Sequence, residues 1–143
     1  MYKEIISASI NRLNNSPNLF TGGDGAVRGS FGKINIKNAP ACLVLPDFSP
    51  PVDMEDSQKN VRTKLQLVCF VVGKSAKSQI EAEDYCLDLA ESVQYRLTDE
   101  HIEVTRDNER IETNDWLLTD MEWIERKQTG CVIALTFEIE LWK

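Results

Sequence analysis

The chain is poor in the residues that carry most small-protein chemistry. It has one histidine and four cysteines among 143 residues, and aromatics make up 8%. Cys42, Cys69, Cys86 and Cys131 form no C-x-x-C pair, so the thiolate spacing of a structural zinc site is missing. All four fall in apolar stretches, where free cysteine acts as a small hydrophobe, and this favours a reducing, intracellular origin. No apolar run reaches the roughly 18–20 residues of a helical membrane span. The opening Met1–Ile6 lacks the apolar region of a secretory leader, so no leader is expected. Without a leader, the sequon Asn14-Asn15-Ser16 carries no glycan.

What is present is enough for one folded domain. Hydrophobic residues make up 42% and charged residues 27%, which suits a real core rather than a disordered chain. The net charge of -7 is unevenly spread. Residues 1–80 come to roughly +4, residues 81–125 to roughly -12 and the remainder to roughly +1. An acidic total without a continuous basic stripe argues against nucleic-acid readout. A solvated acidic helix and loop is the favoured account of the division; the sharper reading is a subunit whose opposite faces meet unlike partners.

Periodicity places the elements. Ile5, Ile6, Ser9, Ile10 and Leu13 recur at helical steps, predicting a helix over Tyr2–Asn14 that Pro17 stops. Long loops are expected at about 15–39, where five glycines gather, and at about 47–61, which contains Pro50-Pro51. Between them Cys42–Leu45 is a short apolar strand. Thr63–Val72 is the next strand, with Leu65, Leu67, Cys69 and Val71 on one face. Ser78–Leu97 is the clearest helix, with Ser78 as its cap and Ala82, Cys86, Leu89, Ala90, Val93 and Leu97 as its buried stripe. Ile102–Thr105 and Trp116–Ile124 are weaker strand candidates. After Gly130, Ile133, Leu135, Phe137, Ile139 and Leu141 alternate strictly with Ala134, Thr136, Glu138 and Glu140. The expected fold is α+β, a mainly antiparallel β-sheet with two α-helices packed on one face, in a single domain over residues 1–143.

Tests for chemistry return little. Gly32-Lys33 fails as a phosphate loop because Val27 and Ile34 stand where glycine and a hydroxyl residue are needed. Gly23-Asp24-Gly25 fails as a dinucleotide fingerprint, since no strand precedes it. His101 has Asp99 and Glu100 beside it, but no nucleophile-elbow motif supports a triad. Glu81, Asp84, Asp88 and Glu91 share one helix face without the Glu-x-x-His partners of a di-metal site. Trp116, Trp123, Trp142, Tyr85, Tyr95 and Phe70 suit a core, a subunit contact or ligand stacking. No catalytic, cofactor-binding or metal residue is assigned.

The order of elements resembles the tail-terminator and minor tail proteins of long-tailed bacteriophages and prophages. The likeness lies in the N-terminal helix, the Pro40–Leu45 strand, the acidic Pro-rich loop, the Arg62–Gly73 strand, the Ser78–Leu97 helix and the terminal strands ending at Trp142. It implies a non-enzymatic subunit without cofactor that forms a ring with copies of itself, often a hexamer. Such a ring caps the tail tube, ends its polymerisation and meets the head-tail connector or neck proteins. The implied partners are therefore itself, the tail tube protein and neck proteins, with no membrane. The implied location is the host cytoplasm during assembly and the virion tail afterwards. Interface residues expected on this reading are Gly22, Gly23, Arg28, Phe31, Phe48, Glu81, Asp84, Asp88 and Glu91, with loops Gly22–Gly32 and Phe48–Gln58 meeting neighbours. Two alternatives remain: an adaptor of a phage-tail-like injection machine, or a small enzyme with a cleft near His101.

Overall fold

A computed structural model describes residues 2–16, 19–29, 37, 39–46, 52–55, 61–75, 77–127 and 130–142. Helix α1, Tyr2–Asn14, buries Ile5, Ile6, Ser9 and Leu13, the apolar stripe that the sequence spacing predicts, while Ile10 is half-buried. Helix α2, Gln79–Thr98, starts at Ser78, whose hydroxyl accepts from the Glu81 N–H at 3.2 Å. All six residues of its expected stripe are buried.

The strands are β1 (Gly25–Arg28), β2 (Ala41–Pro46), β3 (Val52–Glu55), β4 (Val61–Lys74), β5 (Val104–Arg106), β6 (Glu109–Ile111), β7 (Leu117–Arg126) and β8 (Gly130–Trp142). Six of them form one sheet in the order β1-β2-β4-β8-β7, with β3 also paired to β4. The β1–β2 pair is parallel and the other pairs are antiparallel. β4 and β8 form the spine, in register from Arg62↔Trp142 to Lys74↔Gly130. The fold is thus α+β, as expected.

Both helices lie on one face of this sheet. Ile5, Leu13, Val93 and Leu97 from the helices meet Leu67, Cys69, Leu135, Phe137 and Ile139 in the main core. The opposite face is not simply wet. Ala41, Val72 and Val132 are buried in one small cluster there, and Leu45, Val68 and Ala134 in another. Farther along the same face the polar residues pair across strands: Lys64 with Glu138 at 3.3 Å and Arg62 with Glu140 at 3.6 Å. Arg62 also stacks on Trp142, 4.4 Å from the ring centre.

Three expectations need correction. The stretch at 15–39 is not all loop, because it contains β1, and the 47–61 stretch contains β3. Both strands have only four residues, so neither leaves a period long enough to read. The weak strand near Ile102–Thr105 does not join the main sheet. It is β5, which makes a separate hairpin with β6 through Asp107 and Asn108, at φ 52° and 64°. That pair of left-handed residues is the two-residue turn that matches strand twist. Finally, Trp116 lies outside the strand it was expected to start and is itself buried.

Candidate functional site: sheet edges and the acidic helix face

The cysteines point inward. All four are free and buried. Burial pushes the Cys86 thiol up to about 12 and also raises Cys131. Cys69 is raised by its hydrogen bond to Cys42 and by burial. Such thiols are held protonated and lack the thiolate that nucleophilic or metal chemistry needs. Among the described residues, no group of three or more His, Cys, Asp or Glu is placed to hold a metal ion.

His101 is near the surface. Its Nδ1 lies 3.6 Å from the exposed Asp115 carboxylate, and its backbone carbonyl accepts from Arg12 at 2.8 Å. Neither Asp99 nor Glu100, its sequence neighbours, makes that contact; Glu100 pairs with Arg12 at 3.1 Å instead. The local groups thus tie the end of α2 to α1. A groove of about 730 Å³ opens elsewhere, beside the β5–β6 hairpin, with Arg106, Arg110, Ile111, Glu112 and Trp142 in its lining. Its two arginines already face carboxylates, Arg106 that of Glu4 and Arg110 that of Glu103.

The expected interface residues fall into separate patches. Glu81, Asp84, Asp88 and Glu91 are all exposed on the outer face of α2. Gly22, Gly23 and Arg28 are exposed around β1, and Gly22 has φ +84°, a left-handed turn that favours glycine. α1 packs against both β1 and α2. Phe31 and Phe48 lie outside the described residues.

The edges of the sheet were not anticipated. At β1 the Asn14 carboxamide takes both backbone groups of Ala26: the Ala26 N–H donates to Oδ1 at 2.9 Å, and Nδ2 donates to the Ala26 carbonyl at 2.8 Å. One side chain thus imitates a neighbouring strand. At the other edge β7 leaves Leu117, Met121 and Ile124 exposed, at 59%, 50% and 41%. On α2, Ile80 is 71% exposed, on the same helix face as Glu83, which binds Arg126 of β7 at 2.9 Å. That ion pair lowers the Glu83 carboxyl below its ordinary value and raises Arg126. Arg126 also lies over the half-buried Trp123 at 5.1 Å.

No family model matches the chain, and no curated protein does. Among solved structures, the chain is similar to one described as "Virion of native gene transfer agent (GTA) particle". The likeness covers 99% of this chain and 96% of that one, with a TM-score of 0.67 and 14% identity. The chain shares the fold of that particle's chain. At this identity the kinship is one of architecture, and it spans both helices and the whole sheet.

Sequence reasoning found the acidic helix face but missed both edges. Asn14 looks like a helix-ending residue, and its second task depends on β1 standing beside it. The β7 pattern is mixed in hydrophobicity because its residues sit at an edge with two register shifts, at Leu118/Asp120 and Trp123/Glu125. Each shift carries the alternation to the other face, which hides the strand from a period-2 test.

Proposed function

We propose that this chain is a structural virion subunit that closes into a ring on the end of a phage-type tail tube. There it ends tube polymerisation and joins the tail to head-completion proteins. The observation that carries this reading is the fold likeness to a chain of a gene transfer agent virion, which runs nearly end to end in both chains. The element order that resembles tail terminators points the same way. The surfaces fit a docking subunit better than an enzyme: the thiols are buried, the histidine ring faces an exposed carboxylate at the surface, and charge is sorted onto separate patches.

On this reading Glu81, Asp84, Asp88 and Glu91 meet a basic partner surface, and Gly22, Gly23 and Arg28 belong to a second contact, with Phe31 and Phe48 assigned from sequence alone. Unlike charges on opposed surfaces speed encounter and fix orientation.

Light scattering coupled to size-exclusion chromatography tests the reading, alone and with purified tail tubes. The expected result is a discrete ring, in solution or assembled at tube ends, and tubes that no longer lengthen. A chain that stays monomeric and neither binds nor caps tubes overturns it.

A further inference from the structure

Between its two register shifts β7 keeps four residues in regular pairing. Asp120, Met121, Glu122 and Trp123 stand opposite Thr136, Leu135, Ala134 and Ile133 of β8. Among the described residues no strand lies on their other side. Cross-strand partners share a face. Met121 and Trp123 therefore lie with Leu135 and Ile133 on the helix side of the sheet, and Asp120 and Glu122 lie with Ala134 on the other. Asp120, Met121 and Glu122 are exposed, and Trp123 is half-buried. The edge thus carries carboxylates on one face and apolar side chains on the other.

One of those carboxylates covers the strand itself. Asp120 Oδ1 accepts from the Met121 N–H at 2.9 Å, in the middle of the regular stretch. This cover is looser than the one at β1, where the part-buried Asn14 carboxamide takes a donor and an acceptor together. An exposed carboxylate exchanges a backbone N–H for a cation that approaches it, because ion-paired hydrogen bonds are the stronger kind. A second β7 brings no cation. Paired antiparallel about Met121, it sets Asp120 of each copy against Glu122 of the other, and like charges directly opposite are destabilising.

We propose that the β7 edge takes an antiparallel strand of a different protein, one with cationic side chains on one face and apolar side chains on the other. Cations opposite Asp120 and Glu122 draw the Asp120 carboxylate off the Met121 N–H, which then donates to a backbone carbonyl of the incoming strand. The apolar side chains cover Met121 and Trp123. In such strand addition the main chain supplies affinity and the alternate side chains supply specificity. The inference rests on the reading of the chain as a docking subunit and names the surface and the partner's pattern; ring closure by the chain itself does not depend on it.

The test uses the chain as its own probe, because D120K/E122K turns β7 into the strand that wild-type β7 should accept. Fluorescently labelled D120K/E122K is titrated with unlabelled wild type and, separately, with unlabelled D120K/E122K, and anisotropy is read. Binding to wild type should be saturable and about tenfold or more tighter than binding of the variant to itself. Labelled D84K/D88K, which makes the same change in net charge on α2, should gain no such binding. Met121→Pro in the wild-type partner removes the edge donor, at a position where a sheet edge tolerates proline, and should abolish the pairing. Met121→Ser keeps the donor and should weaken it. A labelled D120K/E122K that binds wild type no better than itself overturns the inference. So does binding that D84K/D88K reproduces or that both Met121 variants leave unchanged, since charge alone then explains it. Rings that form in a chain failing this pairing overturn the edge and leave the ring reading standing. Pairing in a chain that never forms rings supports the edge and removes the ring.

Discussion

At one margin of the sheet, β1 gives both backbone groups of Ala26 to the Asn14 carboxamide; at the other, β7 ends the sheet with exposed apolar residues and, among the described residues, no strand beyond it. The two edges face the same problem, since an open row of donors and acceptors invites another chain. β1 answers it inside the subunit, with a side chain delivered by α1. β7 has register shifts and carboxylates, which discourage pairing with its own kind. The contrast separates two energies: substitutions at the sealed edge should change folding, and those at the open edge should change assembly.

The largest effect should come from Gly23, beside the sealed edge. A Cβ there would overlap the backbone carbonyl oxygen and nitrogen of Pro40, which cannot rotate away. Gly23→Ala should therefore cost about 3 kcal/mol, read as a shift in urea midpoint. Next is Asn14→Ala, which strands the N–H and carbonyl of the buried Ala26 and should cost about 2 kcal/mol. Because Cys42 pairs with Ala26 across β1–β2, that variant should also make Cys42 the first thiol to alkylate, by mass spectrometry. In the wild type all four buried thiols should resist alkylation until denaturant is added. Equal labelling of Cys42 and Cys131 in Asn14→Ala would show that β1 does not open by itself.

At β7, Glu122→Lys should leave stability within about 0.5 kcal/mol of wild type, because the side chain is exposed. Its effect belongs to association, measured by light scattering. A large loss of stability would erase the contrast between the edges. The smallest effect should come from the Glu83–Arg126 pair near the C-terminal end of β7. The Glu83 carboxyl titrates below its ordinary value of 4.5 in the folded chain, chiefly through its hydrogen bond from Arg126. A lowered folded value means the contribution is present above 4.5 and lost as pH falls through the folded value. The melting-temperature gap between wild type and Glu83→Gln should thus be small at neutral pH and close in acid. A gap that widens in acid would reverse the sign and sink the assignment.

Much of the fold is legible in particular residues. The stripe from Ala82 to Leu97 gives the buried face of α2, Ser78 gives its start, and the alternation from Ile133 to Leu141 gives β8. Legibility fails where elements are short. β1, β3 and β6 have three or four residues, below the span over which a period can be distinguished from chance. The Gly-rich stretch read as a partner-ordered loop accordingly includes part of the sheet, with Gly25 and Ala26 buried in it. Deleting Gly22–Gly29 should therefore unfold the subunit, where a free loop would have left it intact. Of the candidate surfaces, exposure of the four α2 acids follows from helical geometry, whereas the status of β7 has no signature in its own ten residues.

By itself the sequence determined which side of each long element is dry, because burial follows the repeat of helix or strand and that repeat is local. It also determined the sorting of charge, with the acids gathered from Glu81 onward. Only the tertiary structure decided which strands lie at the margins, that Asn14 closes one of them, and that Glu83 of α2 ties Arg126 of the other. Strand order is a matter of which backbones meet across long stretches of chain. Backbone donors and acceptors are the same in every residue but proline, so no residue type records whether a strand has one neighbour or two.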